Sequence, residues 1–324
     1  MMKAVRFGET GGPEVLRLED VGIAAPGPGQ IRIRHEAIGV NFIDTYHRTG
    51  LYPLPLPSGI GMEAAGVVEA VGEGVTRFAV GDRAGYCSGP VGAYAEAQNV
   101  PADRAVKLPE AMSFDIAAAA MLKGMTARYL LRRTFPLQRG QTCVIHAAAG
   151  GVGQIAVQWA KHLGATVIAV VGSDAKAEIA RALGADHVIV SAREQIAARV
   201  RELTGGEGAD VVYDSVGKDT FEASLNSLKP LGMFVSYGNA SGPAPAFEPG
   251  ILAAKGSLFF TRPTLMHYTR TPALLQETAD DLFGVIASGA VKVAQPARYT
   301  LADAAQAHRD LEARRTTGSV VLVP

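Results

Sequence analysis

Two hydrophobic rhythms divide the chain. Over the first ~110 residues, apolar positions come in short alternating or β-rich runs: Lys3 to Phe7, Ile31 to Ile38, Gly66 to Val71 and Ala93 to Ala97. Turn signals such as Ala25-Pro26-Gly27-Pro28-Gly29 and Gly81-Asp82 part them. Many short strands closed off in this way predict a barrel-like β domain. Ser113 then caps a helical tract that runs through Ala117-Ala118-Ala119-Ala120 toward Leu130-Leu131-Arg132. From Thr142 the period changes. Predicted strands near 142–146, 166–171, 187–190, 210–214 and 232–237 alternate with helices near 152–163, 175–183, 194–204 and 219–228, the pattern of a doubly wound parallel sheet. Ser257 to Thr261 extends that sheet. Beyond Arg262-Pro263 come a long helix through Leu274 to Ile286, a short one near Ala302 to Leu311 and a final strand, Ser319 to Val323. The β content of this tail returns it to the first domain. The expected fold class is α/β: residues 1–122 and 262–324 form the β-barrel domain, and residues 123–261 form the dinucleotide-binding domain inserted into it.

The join between Thr142-Cys143-Val144-Ile145-His146 and the following helix carries the first chemical signal. Ala148, Gly150 and Gly153 stand in the three places of a G-x-G-x-x-G turn. Such glycines let backbone amides approach a pyrophosphate, and the helix start directs its free N–H groups at the anion. Gly150, Gly151, Val152 and Gly153 are therefore candidate cofactor contacts. A second signal lies at the end of the next strand, where an NAD site usually has a carboxylate for the ribose hydroxyl. Position 172 is glycine here, followed by Ser173-Asp174-Ala175-Lys176. No carboxylate at 172 repels a 2′-phosphate, while Ser173 and Lys176 are suited to bind one, so NADPH is expected over NADH. Two simpler roles stay open: Ser173 as a helix cap and Lys176 as a solvated surface lysine.

Composition narrows the classes. Of 324 residues, 48% are hydrophobic and 19% charged, and the formal net charge is zero, so no basic footprint calls for nucleic acid. No apolar run approaches the ~20 residues of a membrane span. The start, Met-Met-Lys-Ala-Val-Arg-Phe, lacks the apolar core of a secretory signal. Two cysteines, Cys87 and Cys143, form no C-x-x-C pair, and a cytoplasmic protein is expected.

Several segments together resemble one family. Asn41-Phe42-Ile43-Asp44-Thr45-Tyr46, Gly50-Leu51-Tyr52-Pro53, Gly61-Met62-Glu63-Ala64-Ala65-Gly66, Ala147 to Gly153, Val212 to Gly217, Val235 to Asn239 and Thr261-Arg262-Pro263 are similar to the quinone oxidoreductases, the ζ-crystallin-like branch of the medium-chain dehydrogenase/reductases. The likeness runs from Gly11-Gly12-Pro13-Glu14 to the C-terminus. It implies a GroES-like catalytic domain, a Rossmann domain, NADPH in the cleft between them and a homodimer. It also implies that Asn41 and Tyr46 contact the nicotinamide side, that Tyr52 lines the cleft and that Thr126 lies near the nicotinamide. Gly172, Ser173 and Lys176 resemble the ribose-phosphate site. Tyr237, Gly238 and Asn239 resemble the loop beside the cofactor, and Arg314 a C-terminal cofactor contact. One departure is Ser191, where close relatives carry a tyrosine near the adenosine phosphate; Arg193 is the nearby source of charge.

Zinc-dependent relatives place a cysteine within the segment matching Gly39 to Asp44 and a histidine in Gly-His-Glu. Here those places offer Asn41 and Gly61-Met62-Glu63, and the cysteines of the structural zinc loop are missing. No metal is expected, because a thioether is a poor ligand for Zn²⁺. Without a Lewis acid, alcohol oxidation is disfavoured. The expected activity is NADPH-dependent reduction of quinones, with Asn41, Tyr46 and Tyr52 as the candidate catalytic residues. The nearest alternative is reduction of activated C=C bonds in enones, which places more weight on a positioned acid. A non-catalytic structural or RNA-binding role is the remote one. Phe259 and Phe260 mark a strand edge suited to pairing across a dimer.

Overall fold

Alternation organises the first part of the strand Gln30–Val40, where Ile31, Ile33 and His35 are buried and Arg32, Arg34 and Glu36 between them are not; from Ala37 to Val40 every residue is buried. A computed structural model describes all of residues 1–324. The chain forms two units: residues 1–125, 269–283 and 293–324 make the first, and residues 126–268 and 284–292 the second.

In the first unit, Gln30–Val40 is the centre of a seven-stranded sheet. Its neighbours include Glu63–Val71, Val320–Val323 and Ala97–Pro101, and Arg83–Tyr86, Val106–Lys107 and Ala297–Thr300 complete the sheet. A smaller sheet holds Met2–Phe7 between Arg17–Val21 and Ser58–Gly59. The apolar faces of both meet in one core that includes Val5, Ile31, Ile33, Ile60, Tyr86, Tyr94 and Leu322. One expected strand is displaced. Pairing on Gln30–Val40 begins at Ala97 rather than Ala93, and the 93–95 segment instead bridges from Ala95 to Ala4, accepts the Val5 N–H at the Tyr94 carbonyl and donates its Ala93 and Tyr94 amides to the Gly61 and Ile60 carbonyls. Buried Tyr94 uses its hydroxyl inside the unit instead.

The second unit is a six-stranded, wholly parallel sheet in the order His187–Val190, Thr166–Val171, Thr142–His146, Ala209–Asp214, Leu228–Ser236, Phe259–Thr261. The strands are near-continuous apolar runs, as burial on both faces requires. The order reverses between Thr142–His146 and Ala209–Asp214, which is where such sheets bind ligands beyond their carboxyl ends. Phe259–Thr261 is an edge strand with Phe259 56% exposed, while Phe260 packs into an aromatic cluster with Phe221, Phe234 and Phe247. No helix is long and apolar enough to cross a membrane.

Close strand packing depends on particular glycines. A Cβ at Gly66 would stand 1.9 Å from the Arg34 carbonyl oxygen, inside the central antiparallel pair. Gly66→Ala is expected to lower stability by about 1–3 kcal/mol or more, because backbone rather than a flexible side chain must yield. Urea unfolding of the variant against the wild type measures it.

Candidate functional site

The glycine turn forms at the carboxyl end of Thr142–His146 and opens the helix Gly151–His162. Gly150 is its N-cap and contributes no side-chain cap, so the first-turn amides of Gly151, Val152 and Gly153 keep donors that the helix itself cannot satisfy. Gly153 must be glycine: a Cβ there would lie 2.4 Å from the Ala147 carbonyl oxygen. The turn is thus a close-packed cradle whose free amides suit a phosphate group.

At the next strand end, Gly172 is exposed, and a Cβ there would meet nothing within 4 Å. Ser173 is the N-cap of the helix Asp174–Ala182, yet its hydroxyl makes no capping bond. Lys176 stands half-buried in the first turn of that helix. Arg193 pairs with Asp174, which brings a guanidinium to this corner and offsets the carboxylate there. Ser191 donates its hydroxyl to the Val171 carbonyl at 3.1 Å. Three strands along the sheet from this corner, Tyr237, Gly238 and Asn239 follow the end of Leu228–Ser236. A Cβ at Gly238 would press within 2.5 Å of the Ser215 carbonyl oxygen, so this loop too is packed onto its neighbour. Thr126 is buried at the start of the unit.

Beneath these loops, Asp214 accepts from the Val216 and Gly217 amides and from the hydroxyls of Thr220 and Ser224. With that hydroxyl proton committed to Asp214, Ser224 accepts from His146 Nε2 at 3.1 Å. His146 is held neutral, its pKa lowered by burial. It is a strand-end residue that ties the glycine turn to the Asp214 loop. A cavity of about 320 Å³, lined by Thr142, Thr166, His187, Asp210 and Lys229 among others, opens at the amino ends of the same strands. That is the opposite end from the glycine turn.

In the first unit, Tyr46 and Tyr52 come together, and Asn41 starts the helix that carries Tyr46. Asn41 is the N-cap of the helix Phe42–Thr49, which ends at Gly50 with φ of 81°. The Tyr46 and Tyr52 rings pack edge to face at 5.3 Å, and the Tyr52 amide donates to the Tyr46 carbonyl. Arg314 is elsewhere in this unit, exposed just past the helix Ala304–Glu312 with φ of 57°.

The Asn41 side chain is held from behind. Its Nδ2 donates to Glu63 Oε2 at 2.8 Å, and its backbone N–H donates to Asp44 Oδ2 at 2.8 Å. Glu63 is fully buried; its Oε1 accepts the Leu122 amide, and Lys123 Nζ lies 3.6 Å from its Oε2. Lys123 also donates to the Val40 carbonyl, so it is a core residue rather than a solvated one. Asp44 belongs to a longer row. Arg48, which can only donate, donates to His308 Nδ1 at 3.0 Å and forms a bidentate pair with Glu312. His308 Nε2–H then donates to Tyr94 Oη at 3.0 Å, and the Tyr94 hydroxyl donates to Asp44 Oδ2 at 3.0 Å. Burial and the neighbouring Arg48 hold His308 neutral, its pKa pushed down to about 3. Burial raises the Asp44 carboxyl to about 7, against the pull of its donors and Lys123. Sequence reasoning assigned no role to Asp44, Glu63, Tyr94 or His308. The one local signal was the Asn41-x-x-Asp44 spacing of a reciprocal helix cap.

No group of three or more His, Cys, Asp or Glu side chains is placed to hold a metal ion. Met62 is buried and carries a thioether, and the Asn41 amide is committed to Glu63. This donor set does not fit catalytic zinc. The glycine cradle, the uncapped Ser173 and the open end at Gly172 do fit a phosphorylated dinucleotide.

Comparison with known proteins agrees with this geometry. Residues 27–110 match the family model for the alcohol dehydrogenase GroES-like domain, and residues 151–279 match the model described as zinc-binding dehydrogenase. The chain is 54% identical, over the full length of both proteins, to a quinone oxidoreductase of Pseudomonas aeruginosa. It is 47% identical to a 2-haloacrylate reductase of a Burkholderia species, covering 100% of this chain and 99% of that protein. The structure of Escherichia coli quinone oxidoreductase complexed with NADPH superposes with a TM-score of 0.98 at 49% identity, covering 99% of this chain and all of that one.

Lys123 offsets a carboxylate that has no solvent, so removing it alone leaves a buried charge. Lys123→Met is expected to cost about 3–5 kcal/mol. Lys123→Met combined with Glu63→Gln should recover most of that loss, which chemical denaturation of the single and double variants would measure.

Proposed function

The chain belongs to the quinone oxidoreductase branch of the medium-chain dehydrogenase/reductases, and on that premise we propose that it reduces quinones at the expense of NADPH without a metal. The observation that carries the nucleotide preference is the corner at Gly172, where no carboxylate stands and the Ser173 hydroxyl is left unused by its helix. NADPH, when bound, supplies the hydride; the rest is binding and orientation by the protein.

The amides of Gly151, Val152 and Gly153 hold the pyrophosphate, with Gly150 setting the approach. Ser173 donates to the 2′-phosphate, Lys176 supplies charge, and Arg193 cancels the Asp174 carboxylate beside them. Tyr237, Gly238, Asn239, Thr126 and Arg314 complete the cofactor contacts. Asn41 is the orienting amide: its Nδ2 is fixed on Glu63 and its side chain belongs to the reciprocal cap with Asp44, so the group is held in one orientation toward the nicotinamide or the acceptor. Tyr46 and Tyr52 supply hydroxyls that hydrogen-bond an acceptor oxygen. Quinone reduction asks little more of the protein, since the reduced ring becomes aromatic and its oxygens take protons from water.

Zinc independence is supported by the buried Met62 thioether and the committed Asn41 amide. A homodimer is supported by the one-sided strand Phe259–Thr261, and a cytoplasmic setting by two buried free thiols. Reduction of an activated C=C bond is the second reading, favoured by the 47% identity to a 2-haloacrylate reductase. Steady-state rates with 1,4-benzoquinone and 1,2-naphthoquinone against 2-chloroacrylate and small enones decide between them. Higher specificity constants for the quinones support the first reading; the reverse order replaces it.

Lys176→Ala is expected to lower kcat/KM for NADPH by about 10- to 100-fold, the worth of one charge-assisted hydrogen bond. The constant for NADH should hold. Equal losses with both nucleotides would remove the 2′-phosphate assignment.

A further inference from the structure

Asn41 bridges two buried carboxylates. Its main chain donates to Asp44 and its side chain to Glu63, each at 2.8 Å, and neither acid is exposed. One cation, Lys123, serves both. Ionising both acids would leave an uncompensated buried negative charge, whereas one proton between them makes the cluster neutral. We propose that Asp44 and Glu63 hold a single proton across Asn41, and that its presence or loss sets how firmly Asn41 is positioned for the reduction. This inference rests on the reading of Asn41 as a residue of the nicotinamide side.

The geometry says where the proton sits. Glu63 has donors on both oxygens, from Leu122 and Asn41, with Lys123 beside it, all of which favour its anion. Asp44 has both its donors, Asn41 and Tyr94, on Oδ2, and Oδ1 is buried with no partner. The proton therefore rests on Asp44 Oδ1. It comes from solvent and returns there as pH rises. The groups facing Asp44 are Tyr94 from the 93–95 segment, Lys123 from the helix Phe114–Tyr129, Glu63 from its strand and Asn41 from its own helix cap; Arg48 and His308 stand behind Tyr94. Arg48 can only donate and burial keeps His308 neutral, so that row orients Tyr94 and does not carry protons.

Both acids are shifted upward by burial, Asp44 to about 7. Below that pH, Asp44 is a neutral acceptor. Above it, the anion accepts two charge-assisted bonds and holds the Asn41 main chain more tightly. The stability sign is opposite. The folded protein keeps the proton up to about pH 7, while an unfolded Asp releases it near pH 4. Stability from this group is present at low pH and is lost as pH rises across that window. Tighter positioning thus comes in the less stable protonation state.

The test is the pH profile of kcat for 1,4-benzoquinone at saturating NADPH in the wild type, Asp44→Asn, Glu63→Gln, Tyr94→Phe and Asn41→Ala. The wild type should show kcat rising through a midpoint near pH 7, which Asp44→Asn abolishes. Glu63→Gln removes a like charge and should lower the midpoint by about one unit or more. Tyr94→Phe removes a donor and should raise it. Midpoints that stay at the wild-type value in both variants overturn the inference. Infrared spectra of protein with ¹³C-labelled aspartate supply a readout free of turnover. A neutral carboxyl band present at about pH 5, lost by about pH 9 and missing in Asp44→Asn supports the shared proton, and its absence at the lower pH overturns it. If Asp44→Asn fails to fold, the Glu63→Gln and Tyr94→Phe midpoint shifts and the pH-dependent loss of the wild-type band carry the test. If Asn41→Ala keeps wild-type kcat and NADPH KM while the infrared band and midpoint shifts appear, the placement of Asn41 is wrong and the proton-sharing pair stands.

Discussion

Taking the Glu63 carboxylate out of water costs several kcal/mol unless its lone pairs find donors. The first unit is arranged around meeting that requirement. Gly39 has no side chain because a Cβ there would lie 2.2 Å from Glu63 Oε2. The helix Phe114–Tyr129 brings both the Leu122 amide and Lys123 to the acid, and the strand end delivers Asn41. A sheet, a helix and a helix cap are therefore located by one anion. Asn41 is already oriented, because the same bond that satisfies Glu63 fixes which way round its amide stands.

The second unit applies the same principle at its strand ends. Asp214 is buried, yet four donors saturate it, two of them amides of the loop that follows. Its carboxyl stays below its ordinary range despite burial, held there by its hydroxyl and amide donors. The loop at 215–217 is wound onto this acid, and His146 joins it through Ser224 to the strand that ends in the glycine turn. The loops at these strand ends are thus fastened to the rigid sheet by buried hydrogen-bonded groups.

How much of this was readable in the sequence follows from the range of each interaction. The parallel sheet was legible because Val, Ile and Ala runs repeat at βαβ intervals. The glycine turn was legible because Gly153 answers a local steric demand. The nucleotide corner was half legible: the absent carboxylate at 172 could be read directly, but whether Ser173 spends its hydroxyl on a cap depends on backbone geometry. The displaced strand shows a limit of pattern reading, since Ala93 to Ala97 alternates correctly while Tyr94 is drawn inward by Asp44 and His308. The row from Glu312 to Asp44 was invisible, because its members lie up to 264 residues apart and no local period links them. The burial of Lys123 had no local signal, because the acid that faces it, Glu63, comes from a strand distant in the sequence.

The row from Arg48 to Asp44 has a fixed sense, since one end can only donate and the other must accept. Its members therefore cannot be replaced one at a time by residues of opposite hydrogen-bonding character. A Tyr94 changed to phenylalanine strands His308, and a His308 changed to glutamine must turn its amide the right way round. Substitution is least constrained at the rim, where Glu312 meets solvent and water can take over its contacts. The hydrogen-bond order inside the fold thus acts as a grammar for permissible change, strict in the interior and loose at its last word.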